Sequence, residues 1–190
     1  MNRHVAGLVL LLAGSMAIAS PLEKIHFGNI SFHHAWESKE SIITHVYVED
    51  SQTLDNWQHL VIYREYPGAL KTENVLKEYL AEINPVQKPS IYQHGYKQGT
   101  LGRDYIIQFM EETPDSSYLE FVTHRFVLEG GTVRSYQFSA RNFGRQLSEL
   151  HEEVSANQTR WVELVEKLTA ADFKEENVPA QQQATPEDSG

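Results

Sequence analysis

His151-Glu152-Glu153-Val154-Ser155 stands one residue short of a zinc-protease helix. That chemistry needs two histidines one helical turn apart, so that both imidazoles meet one metal beside a glutamate base. Ser155 fills the second position, the motif is broken, and the segment reads as the exposed face of a helix. His33 and His34 are a second candidate, close to Trp36. Neighbours on a strand point to opposite faces, so the pair cannot chelate as a unit. A site would need His26 or His45 brought in by folding, and the expectation is that no metal is bound. The acid pairs Glu111-Glu112 and Glu152-Glu153 have the type for acid–base work. Their surroundings read instead as a solvated strand end and a solvated helix face.

Other chemistries are missing from the sequence. There is no G-x-S-x-G elbow, no S-x-x-K with its partner motifs, no G-x-G-x-x-G and no P-loop. Gly99-Thr100-Leu101-Gly102 is a turn. The chain has no cysteine, which excludes thiolate catalysis, thiolate metal ligation, disulfides and lipid attachment. No catalytic residue and no cofactor is assigned. The remaining candidate is a contact surface. Tyr92-Gln93-His94-Gly95-Tyr96 follows a Pro-containing loop, Pro85 to Pro89, and its Tyr92, His94 and Tyr96 have the amphipathic character of recognition loops. The competing reading puts Tyr92 and Tyr96 on one strand face, in the core.

The elements that must position these residues follow from two periods. Strands are expected at Ser41 to Val48, His59 to Tyr66, Ile91 to Lys97, Asp104 to Glu111, Tyr118 to Leu128 and Val133 to Ala140. Gly130-Gly131 is a two-residue hairpin loop, because primed turns need positive φ. Thr53 is expected to cap a short helical turn through Trp57, and Thr72 a helix carrying Val75, Leu76, Tyr79, Leu80 and Ile83. A last helix starts near Arg145 with apolar stripes at Leu147, Leu150, Val154 and at Trp161, Leu164, Val165, Leu168. The polar interval Ser155 to Arg160 predicts a bend or break near Asn157. Trp57 and Trp161 are expected to be buried. Tight turns make the strands antiparallel, giving one α+β domain: an antiparallel β-sheet packed with helices.

The ends carry an address and a tail. Met1 to His4 is short and basic, Val5 to Met16 is apolar, and Ala17-Ile18-Ala19 has small residues where a signal peptidase reads. Residues 1–19 read as a secretory signal peptide cleaved after Ala19, residues 20–173 as the globular domain. The apolar run is too short for a bilayer span, which takes about 20 residues. From 174 to 190 the chain is acidic, Gln-rich and poor in apolar residues, and disorder is expected from about Glu175. A formal net charge of −10, without a basic cluster, argues against nucleic acid as a partner. An exported protein of this size without cysteine fits a bacterial envelope.

The element order resembles the PsbP-like superfamily, which includes the photosystem PsbP proteins and bacterial DcrB-type exported proteins. Thr53-Leu54-Asp55-Asn56-Trp57 leading into a strand carries the resemblance, with the Gly130-Gly131 hairpin, the return strand Tyr136-Gln137-Phe138 and the helix bearing Trp161. The same segment is similar to a group of exported proteins from gamma-proteobacteria. The resemblance implies a PsbP-like sheet covered by helices over Ile25 to Phe173, and a binding or accessory role without a shared active site. The functional expectation is therefore a periplasmic or secreted non-enzymatic protein with an envelope or extracellular protein partner. The alternative is an envelope hydrolase whose site gathers distant His and Asp/Glu residues.

Overall fold

The computed structural model describes residues 21–83, 90–94, 104–112, 118–143 and 147–174. The signal segment 1–19, the tail from 175, the Gly99–Gly102 turn and Tyr96 lie outside the described residues.

Strands β1 (Lys24–Phe27), β2 (Ile30–Lys39), β3 (Ile43–Glu49) and β4 (His59–Tyr66) form one antiparallel meander. Helix α1 (Thr72–Glu82) follows, then a second meander of β5 (Ser90–His94), β6 (Asp104–Glu112), β7 (Tyr118–Glu129) and β8 (Thr132–Phe143). The two join where β4 pairs antiparallel with β8, giving one curled eight-stranded sheet ordered β1-β2-β3-β4-β8-β7-β6-β5. Helix α2 (Leu147–Lys167) and a 3₁₀ turn, Ala170–Asp172, close the chain. The α+β class and the antiparallel sheet agree with the sequence reading; the finer PsbP-like packing is not established by this topology. Among the described residues no helix is long and apolar enough to cross a membrane.

Strict alternation divides the sheet into two faces. One face carries Phe27, Phe32, Tyr47, Val61, Tyr63, Phe121, Tyr136 and Phe138, and α2 lies on it with Leu150, Val154, Trp161, Val165 and Leu168. On the other face α1 sets Val75 and Leu76 against Ile107, Phe109, Val122 and Phe126. Beside α1 a smaller apolar group, Val46, Val48, Leu60 and Ile62, is covered by Trp57. Trp57 and Trp161 are both buried, as expected. The Arg141 guanidinium lies 3.8 Å over the Trp57 ring and donates through Nε to the Trp57 carbonyl, which clamps the 50–58 segment to β8.

Four expectations need correction. The strands β1 and β2 were not expected. Gly28-Asn29 links them as a two-residue turn, with Gly28 at φ +64°. After Thr53 the chain makes one hydrogen-bonded turn, Asn56 N to Thr53 O at 3.2 Å, but the Thr53 side chain donates instead of accepting as a cap would. The Asn56 carboxamide oxygen accepts from both the Thr53 amide (2.7 Å) and its hydroxyl (3.0 Å), and closes a tight loop. Thr72 does not cap α1; Lys71 is the N-cap, without a side-chain bond, and Thr72 is the buried first helical residue. Helix α2 spans Leu147–Lys167 among the described residues. It runs unbroken through Asn157, because the polar interval changes the chemistry of the stripe and not its conformation. Gln158 Nε2 donates to Gln108 Oε1 on β6 (3.0 Å), so the sheet offers a polar partner where the stripe turns polar.

Candidate functional site

The α2-bearing face holds two polar constellations. The first is set up by a β-bulge. Opposite β3, His34 pairs with Tyr47 and Trp36 with Val46, so Ala35 is the extra residue. In a regular strand residues three apart point to opposite faces; one inserted residue cancels that offset. Glu37, which pairs with His45, therefore falls on the same face as His34. The ligand atoms of His34, Glu37 and His45 lie within 4.8 Å of one another. The His34 and His45 rings are 5.6 Å apart, and His45 stacks on Tyr63 while His34 meets Tyr47 edge-on.

His45 is 1% exposed, and neither of its ring nitrogens has a hydrogen-bond partner among the described residues; the same holds for His34 Nε2. Glu37 Oε2 stands 3.7 Å from His45 Nδ1, and Glu37 Oε1 takes Lys39 Nζ at 3.0 Å. Desolvation pulls the pKa of both histidines down, against the opposing pull of Glu37, so both imidazoles are neutral at neutral pH.

The second constellation ties α2 to β4. His59 Nδ1 lies 2.8 Å from Glu49 Oε2 and Nε2 lies 2.8 Å from Glu153 Oε1. Desolvation opposes the charged ring, but the hydrogen bonds from Glu153 and Glu49 outweigh it and the pKa is raised. His59 is clamped between two carboxylates that favour its charged form, and it stacks on Phe138 at 5.8 Å. Beside it a half-open cleft of about 210 Å³ runs between α2 and the β1–β2 turn. Phe27, Ile30, Trp161 and Leu164 supply its apolar wall, and Asn29, Asn157 and Arg160 its polar rim.

A further histidine, His124, faces α1. It is fully buried against Tyr79 and Phe126 (4.7 and 4.1 Å), and burial lowers its pKa well below the usual value.

The sequence-predicted residues fare differently. His151, Glu152 and Ser155 are exposed on α2, as expected of the broken zinc motif. Glu153 is not a solvated helix-face acid; it holds His59. His33 and His34 do point apart, yet His34 finds partners through the bulge and from the next strand. His26 Nδ1 lies 3.1 Å from the Ser31 hydroxyl on an exposed hairpin, and among the described residues no hydrogen bond joins His26 to a carboxylate. Tyr92 and His94 lie on β5, the last strand of the sheet, opposite Ile106 and Asp104. His59, Glu49 and Glu37 were missed. Their signal is faint, since a lone histidine at the head of an apolar strand and single glutamates at strand ends are common surface residues.

A bacterial family model matches residues 19–170. The chain belongs to that family. No curated protein matches it. Among solved structures, family resemblance gives way to a loose likeness. LpqN of Mycobacterium tuberculosis, described as involved in cell envelope biogenesis, shares 9% identity with a TM-score of 0.33. The alignment covers 81% of this chain and 85% of LpqN. A likeness of that size assigns no ligand, partner or activity to this family member.

Proposed function

We propose that this protein is an exported bacterial binding or accessory protein that acts by contact, with no reaction of its own, in the periplasm or outside the cell. The observation that carries the reading is the place of β5. It ends the sheet and pairs only with β6 among the described residues. An edge strand offers unpaired backbone N–H and C=O groups, the template on which a partner's strand adds. Tyr92 and His94 sit on that strand, and Tyr96 follows two residues on. The proposed contact surface is Tyr92, His94 and Tyr96, with an envelope or extracellular protein as partner. The export signal 1–19, cleaved after Ala19, the tail from 174 and the PsbP-like relationship belong to the same reading.

The hydrolase alternative would draw first on His59. A general base needs a free nitrogen lone pair, and both His59 nitrogens are engaged by carboxylates. A second binding reading is favoured by the cleft: its Trp161 wall and its rim of Arg160, Glu153 and Asn157 suit a small amphipathic ligand.

Capture from a native envelope extract tests the main reading. Wild-type protein should retain a partner that the Tyr92→Ala/Tyr96→Ala variant loses, with the melting temperature nearly unchanged. A large fall in melting temperature would instead place both tyrosines in the core. Intact mass of the exported protein should correspond to a chain starting at Ser20; a mass that retains Met1 to Ala19 would refute the cleavage site.

A further inference from the structure

We propose that His34, Glu37 and His45 form a binding site for a divalent transition-metal ion of the zinc class. A neutral imidazole always has one N–H to donate and one lone pair to fill. Burying either without a partner carries the full desolvation penalty of that atom. His45 is 1% exposed, and both its nitrogens lack partners among the described residues. A fold tolerates such a group where something else completes it. The neighbours have the right character. His34 Nε2 is likewise unpartnered, and the Glu37 carboxylate lies on the same face with Oε2 toward His45.

The donor set fits the ion. Two imidazoles and one carboxylate are a three-ligand zinc set that leaves a fourth position for water or an incoming group. Without sulfur, and with few oxygens, the set favours zinc over copper(I), calcium or magnesium. Donors on one tetrahedral zinc stand about 3.3 Å apart. The atoms here lie within 4.8 Å, a gap that side-chain rotation of the exposed Glu37 and the half-buried His34 can close. Lys39 occupies one carboxylate oxygen of Glu37 and leaves the other for the metal. Tyr63 and Tyr47 flank the two rings and limit their rotation, as a shaped site requires. The bulge at Ala35 has a clear consequence here: without it Glu37 would point away from both histidines.

The test uses the full, untagged chain purified without chelator, then stripped by dialysis and titrated with zinc chloride. One zinc per chain is expected, with a rise in melting temperature on loading. Cobalt(II) in place of zinc should give the visible absorption of a tetrahedral site. His34→Ala and Glu37→Gln change residues that are not fully buried, so the fold should survive; each should weaken zinc roughly ten-fold or more. His33→Ala, on the opposite face one residue away, should leave the affinity unchanged. A folded wild-type chain that takes up no stoichiometric zinc would overturn the proposal. So would zinc bound with equal affinity by wild type, His34→Ala and Glu37→Gln, which would mark the uptake as surface binding elsewhere.

Discussion

Glu153 Oε1 and His59 Nε2 meet at 2.8 Å, and that contact fastens the long helix α2 to the strand that joins the two halves of the sheet. The second His59 nitrogen is held by Glu49. The raised pKa gives the tie a pH sign. A histidine whose folded pKa exceeds the unfolded value of about 6.5 stabilises fully below that value, and the stabilisation is lost as pH rises through the folded value. His59→Gln should therefore cost more stability near pH 6 than near pH 9, by about 1–2 kcal/mol, at the lower end because Glu153 is partly solvated. Denaturant titrations of both proteins across that range measure it; an equal cost at both ends would show an uncharged ring.

His124 carries the opposite sign. Its folded pKa lies well below the unfolded one, so the folded state loses ground as pH falls through about 6.5, where the unfolded chain takes a proton that the buried ring refuses. His124→Leu removes that loss. The stability difference between variant and wild type should move in the variant's favour from pH 7.5 to pH 5, read from denaturation midpoints with unchanged slope.

Trp161 packs on Phe138 at 4.9 Å and Phe121 at 5.7 Å, at the centre of the helix–sheet seam. Trp161→Ala should cost about 3–5 kcal/mol. An unchanged denaturation midpoint would mean that α2 is not docked there.

Two glycines separate strain from crowding. Gly131 has φ +80° and open space where a Cβ would stand. Gly28 has φ +64°, and its Cβ would meet Leu164 Cδ1 at 3.0 Å. Gly131→Ala should cost only the left-handed backbone penalty, about 1–2 kcal/mol. Gly28→Ala should cost more, because the Leu164 side chain on α2 must also shift. Thermal melts of the two variants, compared side by side, decide it.

Sequence reading worked where one physical signal dominated. Gly130-Gly131 announced its hairpin because both positions need positive φ, and they have +57° and +80°. The apolar run of β4, buried on both faces, and the alternation of β7 and β8 were strong signals. It failed at β2, where Phe32 is the only fully buried side chain and His33, His34, Glu37, Ser38 and Lys39 hide the period. It failed at Asn157 because a polar stretch in a helix looks like an end until the facing strand is known to carry Gln108. The histidine–glutamate cluster was out of reach for a related reason. The face on which Glu37 falls depends on one bulged residue, and nothing in Ala35-Trp36 marks a bulge. The edge position of β5 likewise follows from β4 pairing with β8, a long-range choice that local pattern does not encode.

Phe173 is fully buried among Tyr47, Tyr63 and Tyr136, and its carbonyl accepts from Leu22 N at 3.0 Å and from the Tyr47 hydroxyl. The plug at the middle of the α2-side core thus comes from the residue that follows the 3₁₀ turn. As a ribosome or a translocation channel releases the chain from its N-terminal end, three tyrosine faces wait uncovered until residue 173 emerges. The aromatic core of the α2 face therefore cannot close until Phe173 has followed α2 out. A nascent chain stalled short of Phe173 would offer an aromatic surface to any holding chaperone at hand.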